Sequence, residues 1–392
     1  MTATLDSLTY SQPRERSETS AFAWHAYACV VAATMVVVGL IWDISWHMSI
    51  GRDTFWTPAH LLIQGGGLIA GLGSGGLALY TTFRGTDAEK ASAVSFWGFR
   101  APLGAWISIL GCGAMLTSAP FDDWWHNAYG LDVRIISPPH ILLGLGMMGI
   151  VTGAVMRTLA LQNQANDTET RVFAGRLYAL SNGLFLSILA IFLLEWSDRT
   201  LMHSGAFYRA LSLTLPIVLV ATTVAGRSRW PATTAAAIYM VVLLATSWVL
   251  MLFPAVPKLG PIYRDITHYV PLDFPLLLVV PALAIDLTWR RVQSWRALPA
   301  ALALGAAFLV TLFASHWPFA DVLMLHGRNW FFHADNFVYW QSVASERWVF
   351  QYRRPSPSDW PPVVDALVAL AFATFASFVG LMRGRWMTRV QR

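Results

Sequence analysis

Long apolar runs, separated by short polar connections, occupy most of the chain beyond residue 23. A helix that crosses a bilayer needs about 20 mostly apolar residues. Ten runs approach or exceed this length, at residues 24–45, 58–82, 102–119, 139–161, 174–195, 205–225, 232–253, 271–288, 297–315 and 361–382. The pattern predicts an all-α fold, a polytopic bundle of about ten transmembrane helices.

Composition supports the membrane assignment. Hydrophobic residues make up 56% of the 392 positions and charged residues only 12%, whereas a soluble domain carries about 25% charged residues. This excludes an ordinary soluble enzyme and also a disordered chain. The 19 tryptophans suit the interfaces of a bilayer. The net charge of +5 is scattered over connections and tails, so we expect the lipid bilayer as a partner and no nucleic acid.

The distribution of basic residues predicts the orientation of the chain. If the N-terminus is cytoplasmic, most of the 27 Lys and Arg residues fall in the tails and in the connections on that side, as the positive-inside rule requires. We therefore expect both termini in the cytoplasm and a multi-pass protein of the bacterial inner membrane. The two cysteines, Cys29 and Cys112, lie inside apolar runs and favour neither a disulfide nor a cysteine metal site.

The apolar runs and the charges between them divide the chain into five predicted regions. Residues 1–22 predict a flexible N-terminal tail, because they contain no apolar run. Residues 23–161 form a four-helix unit with an internal repeat, and residues 162–315 contain further transmembrane helices. Residues 316–360 predict an aromatic extracytoplasmic loop, which serves as a lid, an interfacial helix or a docking surface. Residues 361–392 hold the last span and a basic tail.

Polar chemistry collects at one end of the predicted bundle. Of the ten histidines, only His25 falls on the cytoplasmic side, and most carboxylates share the opposite end with the other nine. Water at an interface explains polar groups at both ends of a bundle, but not this imbalance. The extracytoplasmic end is therefore where we look for a functional site.

An internal repeat is the most specific signal in the sequence. After the first span the chain reads Asp43-Ile44-Ser45-Trp46-His47, then Gly51 and Asp53, then Thr57-Pro58-Ala59-His60. After the third span it reads Asp122-Asp123-Trp124-Trp125-His126, then Gly130 and Asp132, then Ser137-Pro138-Pro139-His140. In both copies Asp precedes His by four positions, and a second His follows a proline.

The spacing predicts a metal at one or both of two residue sets, with structural hydrogen-bond networks as the alternative. Residues four apart share a helix face, so Asp43 and His47 project together from the end of one helix. Thr57 and Pro58 favour a helix start, which places His60 in the first turn of the next helix. Two imidazoles and a carboxylate form a facial triad that leaves positions open for oxygen or substrate. Asp122, His126 and His140 form the second set.

Four further carboxylates are candidates for supporting roles. Asp53 and Asp132, which are repeated, either orient the ligand imidazoles or simply cap turns. Asp123 is an alternative to Asp122, although it breaks the register of the repeat. Glu195, at the end of the fifth span, supplies either a supporting carboxylate or ordinary interfacial polarity.

At these residues the sequence resembles the C subunit of the copper membrane monooxygenases, the particulate methane and ammonia monooxygenases. Asp43, His47 and His60 match that family's Asp-x3-His-x12-His set, and residues 52–60 match its Arg-Asp-Thr-x-Phe-Thr-Pro-x-His context with the Phe shifted by one position. His126 and His140 match the histidines of a later Asn-x3-His-x13-His set, where Asp122 replaces the Asn. The resemblance covers roughly residues 40–150.

The resemblance implies copper, partner subunits and a membrane oxygenase. Asp122 makes its site more anionic, so iron, zinc and manganese remain alternatives. We expect a metal-dependent monooxygenase that oxidises an apolar small-molecule substrate, with electrons from a separate donor because no flavin, haem or iron–sulfur motif is visible. The alternative is a non-catalytic metal-binding or assembly subunit of a membrane complex. A transporter is less well supported, because the inner halves of the spans offer no continuous polar path.

Overall fold

The computed structural model describes residues 19–130, 137–353 and 360–391, and their fold is an all-α bundle. The long helices are α1 (Thr19–Ser49), α2 (Pro58–Phe83), α4 (Leu103–Tyr129), α5 (Pro138–Gln164), α6 (Thr168–Phe192), α8 (Gly205–Ala225), α9 (Pro231–Leu250), α10 (Val279–Val292), α11 (Ala297–Asp321) and α13 (Pro362–Met387). Short helices are α3 (Asp87–Ser92), α7 (Leu194–Ser197) and α12 (Glu346–Val349), and single turns lie at Arg199–Leu201, Val322–His326 and Val343–Ser345. Strands β1 (Val94–Phe96) and β2 (Phe99–Ala101) form a small antiparallel hairpin between α3 and α4.

Nine helices in the described part of the chain are long and apolar enough to cross a membrane. They correspond to nine of the ten predicted spans, so the chain is a multi-pass, all-α membrane protein. The first helix already begins at Thr19, inside the region predicted to be a tail. The rest of that predicted tail, residues 1–18, lies outside the described residues.

The eighth predicted span, 271–288, is not a continuous helix. The backbone up to Leu277 is irregular, and α10 begins only at Val279 and is 14 residues long. Pro271 and Pro275 explain the difference, because proline lacks the N–H that a helix needs and disfavours helical backbone in the residue before it. Apolarity alone therefore did not distinguish an extended segment from a helix.

This irregular segment still runs the depth of the bundle with α10. At one end, Val270 bonds through both backbone groups to Ser45 and Ser49 in the last turns of α1. At the other end, the buried carboxylate of Asp286 on α10 accepts hydrogen bonds from the backbone and hydroxyl of Thr233, at the N-terminus of α9. Non-helical backbone at membrane depth must be buried in protein, and the segment meets that condition.

Two backbone N–H groups of this segment, which have no helical partner, donate to side chains of neighbouring helices. The backbone N–H of Leu276 donates to the Tyr239 hydroxyl on α9 at 3.0 Å, and that of Leu277 donates to His316 Nε2 on α11 at 3.1 Å. Both side chains are almost fully buried. Tyr239 and His316 therefore replace the helical hydrogen bonds that the prolines prevent.

Small residues bring the first four membrane helices close together. A Cβ atom on Gly111 of α4 would lie 2.8 Å from the Gly146 carbonyl oxygen of α5, and one on Gly66 of α2 would lie 2.7 Å from the Ala32 carbonyl oxygen of α1. Such contacts allow the backbones of membrane helices to pack directly. The α1–α2 and α4–α5 pairs thus stand side by side. The C-terminal ends of α1 and α4 and the N-terminal ends of α2 and α5 lie at one end of the bundle. We call it the His-rich end, after His47, His60, His126 and His140.

Residues 316–360 differ in part from the predicted loop. The helix α11 continues to Asp321 and is followed by a π-helical turn to His326, so the first part of the region is helical. Beyond it, residues 327–353 pack over the His-rich end. There His203 is stacked between Trp317 and Tyr352, and Tyr352 donates a hydrogen bond to Asp321 Oδ1 at 2.6 Å.

His333 anchors this segment to the irregular crossing. Its ring is buried against Trp248 and Phe274, and its Nδ1–H donates to the Leu272 carbonyl oxygen at 2.9 Å. Burial lowers the pKa of His333 from 6.5 to about 4. The imidazole is therefore neutral at physiological pH.

Candidate metal centre

The α1–α2 turn brings the first predicted set together. Helix α1 runs past His47 to Ser49, so Asp43 and His47 lie one turn apart on the same helix face. Helix α2 begins at Pro58, which places His60 in its first turn. Thr57 occupies the N-cap position, but its hydroxyl accepts from the Thr54 N–H at 2.9 Å and so stabilises the turn rather than the helix.

The ligand atoms of this set converge. One atom from each of Asp43, His47 and His60 lies within 4.8 Å of the other two. The Nε2 atom of His60 is 3.0 Å from Asp43 Oδ1, and that of His47 is 4.0 Å from Asp43 Oδ2. The side chain of Asp43 is only 17% exposed, whereas that of His47 is 46% exposed. The cluster is therefore mostly covered at Asp43 and open at His47.

Hydrogen bonding prepares His60 to act as a ligand through Nε2. Its Nδ1 lies 2.9 Å from the Thr54 carbonyl oxygen, which can only accept, so the proton is on Nδ1. In the neutral imidazole the lone pair is then on Nε2, which faces Asp43 at 3.0 Å. A ligand imidazole bonded in this way to a backbone carbonyl is typical of metal sites.

The donor set tests whether a cation suits this cluster. Asp43 Oδ1 is buried and has no aligned hydrogen bond from the described residues, but it lies 3.0 Å from His60 Nε2, with which it forms an ion pair when His60 is protonated. A metal ion would take the place of that proton between Asp43 and the imidazoles. Imidazole nitrogen with carboxylate oxygen is a donor set that transition metals accept.

The carboxylate of Asp53 lies close to the Nε2 atoms of both His47 and His60. Its Oδ2 atom is 3.5 Å from His47 Nε2 and 3.4 Å from His60 Nε2. The sequence predicts that Asp53 either orients a ligand imidazole or caps the turn, and in the structure its carboxylate faces the same nitrogen atoms as that of Asp43.

The second set is assembled in the same way at the α4–α5 turn. Asp122 Oδ2 is 3.3 Å from His126 Nε2, and Asp122 Oδ1 is 3.6 Å from His140 Nε2. As in the first set, Asp122 Oδ1 is buried and lacks a hydrogen-bond partner among the described residues. The three residues do not, however, form a group as tight as the first, which is the only such group within the described ranges.

The other predicted supporting residues are placed differently. Asp123 is exposed and faces Asn127, whose side-chain amide donates to its backbone and carboxylate oxygens. Glu195 is exposed on α7, and the ion pairs of the two sets do not include it. Asp132 lies in 131–136, outside the described residues, so its predicted role remains a prediction.

Two distant residues that the sequence did not indicate hold the first turn in place. The Lys258 N–H donates to the Ile50 carbonyl oxygen at 2.8 Å. The Tyr339 ring packs so closely on Gly51 that any side chain there would overlap the hydroxyl. Gly51 has φ +82°, a backbone conformation that favours glycine. The glycine itself is the one sequence signal at this position.

Comparison of the chain with protein-family models, curated proteins and solved structures finds no match. The resemblance to the copper membrane monooxygenases therefore rests on the residues of the two helical turns. Function has to be argued from their geometry.

Proposed function

We propose that this protein is an integral membrane metalloprotein of the monooxygenase type, with its reactive metal at Asp43, His47 and His60. The observation that carries the proposal is the convergence of these three ligand atoms within 4.8 Å at the end of two membrane helices. Copper is the metal that the resemblance implies, with iron, zinc and manganese as alternatives. When bound, such a metal supplies the activation of dioxygen.

The residues of the chain would hold the ion and leave access for a substrate. Asp43 and His60, both largely buried, hold the ion against α1 and α2, and the Thr54 carbonyl keeps the His60 ring in the ligating tautomer. The exposed side at His47 is where a small molecule can approach. Leu61, which follows His60 on α2, is 46% exposed, so an apolar substrate dissolved in the bilayer would meet an apolar surface beside the site.

A metal-binding or assembly subunit is the second candidate function. The exposure of His47 favours it, because a carrier has to release its ion to a partner. Both candidates require partners: the enzyme needs an electron donor or further subunits, and the carrier needs a recipient.

Oxygen uptake separates the two candidates. We would load the purified full-length protein with copper or iron, supply an artificial reductant, and follow oxygen consumption with and without short apolar substrates. The enzyme predicts substrate-dependent uptake that falls at least about 10-fold in His60→Ala. His268→Ala is the matched control, because His268 is an exposed histidine at the same end that bonds only to Thr267 among the side chains described.

The alternative result is equally clear. If the loaded protein binds metal but consumes no oxygen with any substrate, and passes the metal to an acceptor, the carrier function is supported and the oxygenase function is wrong.

A further inference from the structure

We propose that Asp53 is a fourth ligand, so that the first site binds a divalent metal between two imidazoles and two carboxylates. This inference rests on the proposed function, since it concerns the same site. It changes the chemistry expected there, because an Asp/His/His triad leaves coordination positions open and a set of four ligands closes them.

Two of the distances around Asp53 suit a metal ligand. Ligand bonds of about 2.0–2.2 Å to nitrogen or oxygen place neighbouring ligand atoms of a tetrahedron roughly 3.3–3.6 Å apart. Asp53 Oδ2 lies 3.5 Å from His47 Nε2 and 3.4 Å from His60 Nε2. An ordinary ion pair would bring one oxygen to hydrogen-bond distance of one nitrogen, about 2.7–2.9 Å. Here a single oxygen is held at similar, longer distances from both rings.

Asp43 approaches the same imidazoles from α1. Its Oδ1 lies 3.0 Å from His60 Nε2, and its Oδ2 lies 4.0 Å from His47 Nε2. Both carboxylates thus approach the same two nitrogen atoms.

The backbone on either side of Asp53 is fixed. The indole N–H of Trp46 donates to the Arg52 carbonyl oxygen at 3.1 Å, and the Thr54 N–H donates to Thr57 at 2.9 Å. One residue further back, Gly51 is covered by Tyr339. The carboxylate of Asp53 is therefore held toward the site by neighbours bonded in place, as a ligand needs to be.

The donor set indicates the class of metal. Two carboxylates balance the charge of a divalent ion, and the four residues named here offer no sulfur ligand to favour Cu⁺. A site of four nitrogen and oxygen ligands suits Zn²⁺. In an enzyme, Asp53 would then be the ligand that an incoming molecule displaces, because its side chain is 33% exposed whereas that of Asp43 is 17% exposed.

Cobalt(II) is a suitable probe, because it replaces zinc and absorbs strongly in the visible range when tetrahedral but weakly when it has more ligands. We would strip the full-length protein of metal in detergent and titrate it with Co²⁺. The titration would be made in the His126→Ala background, which removes the contribution of the second set. We expect strong visible bands that saturate at one equivalent.

The variants distinguish the role of Asp53 from the existence of the site. Asp53→Asn should weaken Co²⁺ binding at least about 10-fold and reduce the bands, whereas Asp53→Glu, which keeps a carboxylate, should retain part of both. Asp123→Asn is the matched control and should be unchanged, since Asp123 faces Asn127.

Two results would overturn the inference, and they have different meanings. If Asp53→Asn binds Co²⁺ with the affinity and spectrum of the parent while His60→Ala does not bind, Asp53 is not a ligand but the three-residue site stands. If the parent protein itself binds no Co²⁺, or His60→Ala binds it equally well, the site and the proposed function both fail.

Discussion

Asp43 Oδ1 and His60 Nε2 lie 3.0 Å apart although the two residues belong to different membrane helices. The contact joins the end of α1 to the start of α2 and places a carboxylate against an imidazole at the proposed metal site. The equivalent pair at the α4–α5 turn, Asp122 and His140, is 3.6 Å apart. The internal repeat in the sequence is thus a repeat in three dimensions, with one tighter and one looser copy.

Gly51→Ala tests whether the packing of Tyr339 on Gly51 fixes the turn between α1 and α2. Alanine at φ +82° is strained by about 1–3 kcal/mol, and its Cβ would also displace Tyr339. We expect a lower melting temperature and weaker metal binding. Gly98→Ala is the control, because Gly98 has φ +81° but no atoms near its Cβ position. A Gly51→Ala variant with the metal affinity of the parent would show that the turn does not depend on Tyr339.

Asp286→Ala tests the discontinuous crossing. Asp286 accepts hydrogen bonds from Thr223 on α8 and from Ala232 and Thr233 at the N-terminus of α9. Hydrogen bonds to a charged group contribute about 1.5–3 kcal/mol each, so the variant should unfold at clearly lower temperature. The exposed Asp123→Ala is the control. Equal melting temperatures for the two variants would mean that α10 is not anchored through Asp286.

The pKa of His333 predicts an acid-sensitive segment. The packed imidazole has a pKa of about 4 against 6.5 when unpacked, so protons bind the unpacked state preferentially between these values. The free energy of unpacking this segment is highest above pH 6.5 and falls as the pH drops toward 4. At pH 5 it is lower by roughly 2 kcal/mol. Melting curves of the parent should show this slope, and His333→Phe should remove it. A slope retained in His333→Phe would assign it to another group.

Local sequence predicted the site and the bundle because both depend on short-range rules. Asp43 and His47 share a face by helix periodicity, and Pro58 sets the start of the helix that carries His60. Membrane helices follow from apolar length, which worked for nine spans. These features require no knowledge of distant parts of the chain.

Features that depend on distant contacts were not predictable. Hydropathy counts the segment beyond Pro271 as a span, but only the bonds from Tyr239 and His316 make its extended backbone stable. The approach of Asp53 to both imidazoles depends on a turn fixed by Lys258 and Tyr339, far along the chain. No local pattern contains that information.

Metal content is the most direct test of the central proposal. The purified full-length protein should contain about one tightly bound ion per chain at the first site, with any further ion at the second. His47→Ala and His60→Ala should each lose the tightly bound ion, whereas His268→Ala should keep it. Unchanged metal content in both His47→Ala and His60→Ala would contradict the assignment of these residues as ligands.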